Sequence, residues 1–449
     1  MLWLLVTLIV VVVSIAIAFL LLRPIPAKYV KGSIQVVVLG DIGHSPRMQY
    51  HALSIAEHGG QVELVGYIDS EPLQPLREHP SVILRPLSRP PQVLQTSNKL
   101  LFLLGAPLKV IFQTWTLWEA LARQATAHEW MLVQNPPSIP TLLLAILACR
   151  ARNTKLVVDW HNFGYSILAL KLGHSHLLVR VSKYYEYALA KFAYCHFTVT
   201  DAMRDVLKND LAIAQPILTL HDRPAPIFQP MTSQQRAAFL VQQALTAGEA
   251  SEILQGKTRL VVSSTSWTPD EDFSVLLEAL CKYSASAISD SPQLPELLVI
   301  ITGKGPLRDR YLQKIKSLEA SQDLEMITVK TDWLSFEQYA SLLAAADLGL
   351  SLHTSSSGVD LPMKVVDMFG AGLPVLGYNN YKAWPELVRE DINGKGFANA
   401  QQMSDTMRLL FDPPPTKLDK LKQGAIHESN RRWDAEWEPI AGRLFGLVT

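Results

Sequence analysis

A strand–loop–helix–strand unit at residues 346–377 constrains the fold more than any other stretch of this chain. An apolar run predicts a buried strand, and a Ser/Gly-rich loop follows at 353–358. A short helix comes next, with Asp360 as its predicted N-cap and Pro362 in its first turn. The free N–H groups and the positive end of the helix dipole favour an anion at this loop, and a diphosphate suits the place.

Asp367 lies about two turns into the predicted helix. A carboxylate there can accept two hydrogen bonds from vicinal hydroxyls, such as those of a ribose. An ordinary β-α-β crossover with a solvated aspartate fits the same spacing. The spacing by itself therefore leaves a nucleotide site and a purely structural crossover both open.

Strand-like and helix-like segments alternate along both halves of the chain, which predicts doubly wound parallel sheets. With 449 residues, the chain is long enough for two domains of ordinary size. Buried strands are predicted at 34–39, 62–67, 131–133, 155–159, 197–200, 259–263, 297–302, 326–329, 346–352 and 374–377. A proline-rich segment at 221–230 predicts the link between the domains, and one helix at 415–447 ends the chain.

The overall charge and the cysteines exclude some classes of function. The chain has 41 basic and 41 acidic residues, so it lacks the basic excess of a non-specific nucleic-acid binder. Its three cysteines are far apart and form neither a CxxC pair nor a metal-ligand spacing. A reducing compartment and no nucleic-acid partner are therefore expected.

Residues 2–22 form a run without a single charge. As a helix, these residues would span about 31 Å, which matches one bilayer core. No basic residue precedes the run, which favours a retained transmembrane anchor over a cleaved signal peptide. Arg23, Lys28 and Lys31 follow before the first acid, so the positive-inside rule predicts a cytosolic location for the rest of the chain.

Polar residues follow the predicted strands of the first half, where α/β folds place their ligands. Asp41, His44 and Arg47 come just after the first strand, but a capped turn with a solvated arginine is the alternative. His161 directly follows the strand at 155–159. The turn after the first strand lacks a full GxGxxG pattern, so nicotinamide binding is unsupported.

Residues 99–123 are apolar and aromatic with a basic fringe. Pro107 is predicted to interrupt this segment, so that it does not span a membrane as one straight helix. Two interpretations stay open. The segment lies on a bilayer surface and guides a lipid-linked acceptor, or it is a helix buried against the sheet.

Seven blocks of sequence together resemble one enzyme class. They are GDIGHSPRMQYHA at 40–52, VQNPPSIP at 133–140, VVDWHNFGYSILAL at 157–170, HDRPA at 221–225, STSWTPDEDF at 264–273, ITGKGPL at 301–307 and SSSGVDLPMKVVDMFGAGLPV at 355–375. The chain resembles glycosyltransferases of the GT-B fold, in which two Rossmann-like, doubly wound parallel-sheet domains face a cleft. Within that class it is similar to β-mannosyltransferases of the endoplasmic reticulum that act on dolichol-linked substrates.

The resemblance sets the expected domain limits. They are a membrane anchor and flank at 1–32, an acceptor domain at 33–225, a linker and helical insertion at 226–257, a nucleotide-sugar domain at 258–414, and a C-terminal helix crossing back to the first domain at 415–449. The transmembrane helix would be single-pass, with both catalytic domains on the cytosolic face of the endoplasmic reticulum membrane. Other glycosyltransferases of the endoplasmic reticulum membrane are candidate partners.

The resemblance also implies the substrates. The donor is expected to be GDP-mannose, and the acceptor dolichol-diphosphate-linked chitobiose, which receives mannose in β-1,4 linkage. The residues expected to bind the donor are Ser264, Ser266, Gly303, Lys304, Ser356, Ser357, Gly358, Lys364 and Asp367. The residues expected at the acceptor or its diphosphate are Gly43, Arg47, Asn135 and Asn162.

Transfer from an α-linked donor to a β-mannoside inverts the anomeric carbon, so one base must take the acceptor proton. The candidates for this base are His161, Asp41 and His44. The ordinary pKa of an imidazole, near 6.5, suits proton abstraction near neutral pH, whereas a carboxylate needs its pKa raised. Alternatives are a different lipid-directed glycosyltransferase, or a non-catalytic subunit of a glycosylation complex.

The sequence departs from the broader GT-B pattern in the first loop of the second domain. Many retaining members carry an Arg and a Lys there, whereas this chain has acidic residues at 270–272. The source of the phosphate-binding cation therefore stays open, with Lys304 and Lys364 as candidates. No DxD-like cluster compels a metal, so no obligatory cofactor is expected, and a magnesium requirement stays open.

Overall fold

The structure is a computed structural model, which describes residues 28–89, 91, 99–123, 126–268, 271–289 and 294–449. The predicted membrane anchor at 2–22 lies outside the described residues. Within the described ranges, no helix combines the length and the apolar character that crossing a bilayer requires.

The chain divides into two compact units. The first unit contains the described residues up to His221 together with Asp434–Thr449, and the second contains Asp222–Trp433. The chain therefore returns to the first unit at residue 434, nearer the C-terminus than the predicted crossing at 415–449.

The first unit is built on a seven-stranded parallel sheet with the strand order β3-β2-β1-β4-β5-β6-β7. Its strands are β1 (Lys28–Asp41), β2 (Gln61–Tyr67), β3 (Val82–Pro86), β4 (Thr126–Asn135), β5 (Lys155–Trp160), β6 (Cys195–Thr198) and β7 (Ile217–Thr219). Its helices up to β7 are α1 (Pro46–Glu57), α2 (Gln74–Glu78), α3 (Lys99–Ala122), α4 (Thr141–Arg152), α5 (Gly164–Leu172), α6 (Leu177–Ala190) and α7 (Asp201–Asn209). Both faces of the sheet are covered, so its central strands are continuous apolar runs, as at Val36, Val37 and Val38.

The second unit repeats this plan with a six-stranded parallel sheet in the order β10-β9-β8-β11-β12-β13. Its strands are β8 (Thr258–Ser264), β9 (Glu296–Thr302), β10 (Ile327–Asp332), β11 (Leu348–Ser351), β12 (Val375–Tyr378) and β13 (Gly394–Phe397). Its helices are α8 (Ser233–Gln242), α9 (Ala250–Leu254), α10 (Phe273–Ser289), α11 (Arg308–Ala320), α12 (Phe336–Ala345), α13 (Met363–Gly370), α14 (Trp384–Leu387), α15 (Ala400–Phe411) and α16 (Thr416–Glu428). The predicted pair of doubly wound parallel sheets is therefore confirmed.

Two predictions about helices are wrong. Helix α3 runs through Pro107 without a break, and the described part of its inner side buries Leu117, Trp118 and Leu121. The C-terminal segment is not one helix: α16 ends at Glu428, and α17 (Trp433–Trp437), a π-helical turn at Glu438–Gly442 and α18 (Arg443–Phe445) follow. Helix α3 can continue because a proline removes one backbone donor, and packing of the rest of the helix compensates for that loss.

Parallel pairing brings the polar strand ends of each sheet together. In the first unit, Asn135 at the end of β4 pairs with Trp160 at the end of β5, and Asp41 ends the neighbouring strand β1. In the second unit, Ser264 at the end of β8 pairs with Thr302 at the end of β9. Each sheet therefore places several polar loops along one carboxyl edge, which is where doubly wound folds bind their ligands.

Candidate functional site

A buried carboxylate, Asp159, organises the carboxyl edge of the first sheet. It lies in β5, and its side chain is fully buried. Arg47 of α1 holds it with two hydrogen bonds, from Nε to Oδ2 at 2.8 Å and from Nη2 to Oδ1 at 3.0 Å. Burial raises the pKa of Asp159, but the charges of Arg47 and His161 and hydrogen bonds from His161 and His51 outweigh it and hold the pKa well below its usual range.

His161, two residues further on, is turned toward this carboxylate. Its Nε2 lies 3.0 Å from Oδ2 of Asp159, and 24% of its side chain is exposed. Its backbone N–H donates to the carbonyl oxygen of Asn135 at 2.9 Å, which fixes the turn after β5. Because an ionised carboxylate only accepts, Nε2 carries the proton of the neutral ring, and Nδ1 is left as a basic nitrogen.

A second histidine reaches the same carboxylate from the opposite direction. His51 of α1 is fully buried, and its Nε2 lies 3.4 Å from Oδ2 of Asp159. Trp437 of α17 donates its indole N–H to Nδ1 of His51 at 3.0 Å, which puts the proton of His51 on Nε2. Burial lowers the pKa of His51, so this ring stays neutral. A series of side-chain contacts thus leads from Trp437 through His51 and Asp159 to His161.

Arg47 was expected at the acceptor or its diphosphate, and the structure corrects this expectation. Its side chain is only 4% exposed. The guanidinium is engaged by Asp159 and by the carbonyl oxygen of Leu220, to which Nη1 donates at 2.9 Å. It is therefore buried where it neutralises Asp159, and it is not presented to a ligand.

Asp41 and His44 form a turn after β1. The Oδ1 atom of Asp41 accepts the backbone N–H groups of Gly43, Asp69 and Ser70 at 3.3, 2.9 and 3.2 Å. Nδ1 of His44 lies 2.6 Å from the Oδ2 atom of Asp41, and the side chain of His44 is 78% exposed. Burial raises the pKa of Asp41, but the hydrogen bonds from Ser70, His44 and Gly43 outweigh it, so the net pKa is lowered. A lowered pKa makes Asp41 a weaker base.

Gly43 occupies a position where a larger residue does not fit. A Cβ at this position would lie 2.7 Å from the carbonyl oxygen of Ser70. The backbone of the turn therefore lies close against the segment after β2, and only a glycine fits without a shift.

The two asparagines expected at the acceptor lie in different environments. Asn135 is fully buried, and its side-chain amide donates to the Glu186 carboxylate at 3.3 Å. Asn162 is half-buried just before α5, and its Oδ1 accepts the backbone N–H of Phe163 at 2.7 Å and the hydroxyl of Ser166 at 3.2 Å. Only Asn162 of this pair keeps exposed surface for a ligand.

In the second unit, Asp360 is wrongly predicted as a helix N-cap. The N-cap of α13 is Pro362, and Asp360 instead accepts hydrogen bonds from the hydroxyls of Ser355 and of Ser357, the latter at 3.0 Å. Nε2 of His353 lies 3.4 Å from the other carboxylate oxygen. The side chain of Pro362 provides no hydrogen-bond acceptor for a cap. The carboxylate of Asp360 instead binds the hydroxyls of the preceding serines and so holds their loop.

The serine loop that Asp360 holds by hydrogen bonds contains three of the residues predicted to bind the nucleotide-sugar donor. Ser356, Ser357 and Gly358 are half-buried, and Gly358 adopts a positive φ of 76°. Its N–H donates to the Ser355 hydroxyl at 2.7 Å. The loop is therefore pre-formed by its own serines, just before the start of α13.

Lys364 in the first turn of α13 is paired with a carboxylate that the sequence did not single out. Its ammonium group contacts Glu271, whose side chain is 3% exposed. The other carboxylate oxygen of Glu271 accepts the hydroxyl of Thr265 at 2.6 Å and the N–H of Ser266 at 2.9 Å. Glu271 therefore joins the loop after β8 to the start of α13.

Asp367 lies deeper in α13 and has no hydrogen-bond partner among the described residues. Burial raises its pKa to about 8. Burial and, after it, the charge of Asp367 raise the pKa of Tyr339, whose hydroxyl lies 3.0 Å from that of Ser264 at the end of β8. The hydroxyls of Ser264 and Tyr339 therefore lie together at the carboxyl end of β8, within the electrostatic influence of Asp367.

The loop after β9 holds the remaining predicted donor residues. Gly303 has a φ of 147°, and a Cβ there would collide with the carbonyl oxygen of Thr265. Next to it, the exposed Lys304 places Nζ 4.4 Å from the centre of the Trp333 ring. Ser266 is exposed in the adjoining loop. The close approach of these two loops requires the glycine, whereas Lys304 stays accessible.

The sequence-based predictions missed Asp159, Glu271 and the pair of His51 with Trp437. A signal was available for Asp159, because it is a charged residue in an otherwise apolar strand directly before His161. Glu271 belongs to the acidic stretch at 270–272, where the sequence departs from the GT-B pattern. Nothing in the sequence indicated Trp437, since 386 residues separate it from His51.

The raised pKa of Asp367 predicts a pH-dependent effect of its replacement. A carboxyl group with a raised pKa in the folded state destabilises the fold as pH rises above its unfolded value of about 4, up to about pH 8. Asp367→Asn should therefore raise the free energy of unfolding little at about pH 4 and progressively more toward about pH 8. Urea unfolding at several pH values measures this, with the exposed Asp405→Asn as control. An effect of Asp367→Asn that is the same at all pH values would contradict the prediction.

Several known proteins are similar to this chain in sequence. No protein-family model matches the chain. A chitobiosyldiphosphodolichol beta-mannosyltransferase of Arthroderma benhamiae is 53% identical over 383 residues, covering 85% of this chain and 86% of that protein. The mouse protein of the same name is 37% identical, covering 90% and 87%. UDP-glycosyltransferase TURAN of Arabidopsis thaliana is 39% identical, covering 93% and 98%.

Solved structures show the same fold at low sequence identity. Anabaena Alr3699/HepE in complex with UDP superposes with a TM-score of 0.65 at 14% identity, covering 92% of this chain and 100% of that one. The sucrose-phosphate synthase of Thermosynechococcus elongatus gives a TM-score of 0.62 at 13% identity, covering 92% and 98%. Both support the GT-B fold, with its two Rossmann-like domains.

Proposed function

Because the chain belongs to the family of chitobiosyldiphosphodolichol β-mannosyltransferases, we propose that it takes mannose from GDP-mannose, with His161 as the base. The chain is a hexosyltransferase that transfers a β-mannosyl residue to chitobiosyl-diphosphodolichol, in the dolichol pathway of the endoplasmic reticulum. Beyond this reaction, we propose the identity of the donor, the β-1,4 linkage and the roles of individual residues. The observation that carries the residue roles is the hydrogen bond between His161 and the buried Asp159.

The proposed reaction is a single displacement that inverts the anomeric carbon. Nδ1 of His161 takes the proton of the acceptor hydroxyl as the oxygen attacks, and the nucleoside diphosphate leaves. The resulting imidazolium is stabilised by Asp159, which stays ionised because Arg47 neutralises it. Asp41 is the weaker candidate because its pKa is lowered, and His44 is the more exposed one. We therefore assign Asp41 and His44 a structural role in the turn that contains Gly43.

In the second unit, Asp367 accepts hydrogen bonds from the ribose hydroxyls of the donor in this proposal. The carboxyl group is half-buried and lacks a hydrogen-bond partner in the described part of the chain, and two vicinal hydroxyls supply the donors it lacks. Lys304, Lys364 and the N-terminus of α13 would stabilise the departing diphosphate, with the serine loop at 356–358 beside them. Lys364 must then exchange Glu271 for the diphosphate, or bridge the two.

The location in the membrane is also part of the proposal. We assign residues 2–22 to a single transmembrane anchor with the two units on the cytosolic face, because the flanking charges are basic. Other glycosyltransferases of that membrane are candidate partners. Magnesium is a candidate aid to the departing diphosphate, and an assay with a chelator tests it.

The donor is tested by turnover of the purified chain on a synthetic chitobiosyl-diphosphate lipid. We expect transfer from GDP-mannose and none from UDP-sugars. The UDP-sugars are included because of the name of the Arabidopsis relative. A chelator arm measures the dependence on magnesium. Transfer from a UDP-sugar alone would overturn the proposed donor, and donor binding without any transfer would favour a non-catalytic subunit.

The role of His161 predicts a specific kinetic defect. His161→Ala should lose roughly 10²–10⁴ in the single-turnover rate, while binding of GDP is retained, because it removes only the base. His44→Ala is the matched control, since His44 is a histidine on a neighbouring loop and is expected to keep most of the rate. If His161→Ala retains more than about a tenth of the wild-type rate, the loss is too small for a base. His161 would then be assigned to positioning the sugar.

The contact between Trp437 and His51 predicts a change in the pH dependence. Trp437→Phe keeps an aromatic ring but removes the N–H that fixes the proton of His51 on Nε2. His51 can then stop donating to Asp159, which makes Asp159 a stronger partner for the imidazolium of His161. The acid limb of the kcat/KM profile should therefore move to higher pH, with little change in KM for the donor. An unchanged profile in a folded variant would remove Trp437 from the network.

A further inference from the structure

Helices α5 and α6 present an apolar surface to solvent on the first unit. The exposed apolar side chains of this surface, which we call the α5–α6 face, are Ile167, Leu170, Leu172, Leu177, Val181 and Tyr184. The exposed fraction reaches 59% at Leu170 and 76% at Tyr184. Along α6, Leu177, Val181 and Tyr184 follow each other at intervals of four and three residues, so they lie on one side of the helix.

Helix α6 lacks the clear apolar-in, polar-out pattern of an ordinary surface helix. Its buried side combines the small apolar residues Val179 and Ala190 with the polar Ser182 and Glu186, whereas its largest apolar side chains lie on the exposed side. The carboxylate of Glu186 is used inside the unit, where it accepts the backbone N–H of Gly164 at 2.8 Å. A surface helix that exposes a row of large apolar side chains marks an interaction site.

The charges around the α5–α6 face indicate what covers it. Lys171, Arg180 and Lys183 are exposed among the apolar side chains. Glu186 is the only acid between residues 162 and 194, and it is buried. An exposed face that is both apolar and purely basic is complementary to the interface of a bilayer with anionic lipids.

The length of the chain before β1 points to the same partner. The uncharged run ends at Leu22 and β1 begins at Lys28, so five residues lie between them. Fully extended, five residues reach at most about 18 Å. If the run crosses the bilayer as proposed, the first unit is therefore held close to the membrane surface.

We propose that the α5–α6 face docks on the bilayer interface and so presents the lipid-linked acceptor to the first unit. Helix α5 starts only three residues after His161, so membrane contact and the proposed base share one segment of the chain. The apolar side chains would enter the boundary between headgroups and acyl chains, while the basic groups stay among the headgroups. This inference rests on the proposed function for the role of His161, but the docking itself is tested separately.

Docking is tested with the full chain reconstituted in vesicles of phosphatidylcholine and phosphatidylserine. A fluorophore is attached at Val181→Cys in a Cys281→Ser background, because the other two cysteines are buried. A quencher carried by the lipid should quench this label. A label at Val241→Cys, an exposed valine of α8 in the second unit, should not be quenched. An unquenched label at 181, or one shielded only by an added protein fraction, would overturn docking on lipid.

The functional consequence is tested with two acceptors. The triple variant Leu177→Gln, Val181→Gln, Tyr184→Gln should raise KM for a long-chain acceptor in vesicles roughly tenfold, because it removes apolar contacts with the bilayer. Its rate on a water-soluble short-chain acceptor should stay unchanged. The matched control Val241→Gln, Leu254→Gln, Leu409→Gln changes exposed apolar residues of the second unit and should affect neither acceptor.

The outcomes separate this inference from the proposed function. Equal loss on both acceptors would mean a structural role for the face and would overturn the inference. If the wild-type chain transfers from no mannosyl donor, the proposed donor fails, while the quenching at position 181 still decides whether the face meets lipid.

Discussion

The proposed chemistry of the first unit depends on one fully buried carboxylate. Asp159 lies inside an apolar strand and is stable there because Arg47 donates two hydrogen bonds to it. Removing one partner from such a buried pair leaves an uncompensated charge, which is strongly destabilising. Asp159 thereby keeps His161 in one orientation with Nδ1 as its basic nitrogen. The same carboxylate ties the C-terminal segment to the site, since Trp437 acts on it through His51.

The second unit uses carboxylates in a comparable way, to shape loops. Asp360 gathers the serine loop, and Glu271 joins the loop after β8 to Lys364 at the start of α13. Both have hydrogen-bonding partners within the unit, whereas Asp367 has none in the described residues, and burial raises its pKa. A nucleotide that brings two hydroxyl donors would compensate for that burial. This contrast among three acids favours Asp367 as the contact for the donor.

The spacing of apolar residues along the sequence, and the polar residues that follow each predicted strand, made the main architecture predictable. The buried runs of β1, β5 and β8 follow from patterning, and so do the positions of His161 and the serine loop just after strands β5 and β11. Contacts across long sequence separations were not predictable, because no local pattern shows that Arg47 faces Asp159 or that Trp437 faces His51. The predicted N-cap failed for a related reason, since the carboxylate of Asp360 turned back to the serine hydroxyls instead.

The tautomer of His161 tests the central claim most directly. Nitrogen NMR of the chain labelled with ¹⁵N-histidine gives the protonation of each ring nitrogen, and His161→Ala identifies the resonances of His161 by their loss. We predict that the neutral ring carries its proton on Nε2, donated to Asp159, and that Nδ1 is unprotonated. A neutral ring protonated on Nδ1 would contradict the account, because the nitrogen assigned as the base would then have no lone pair to accept a proton.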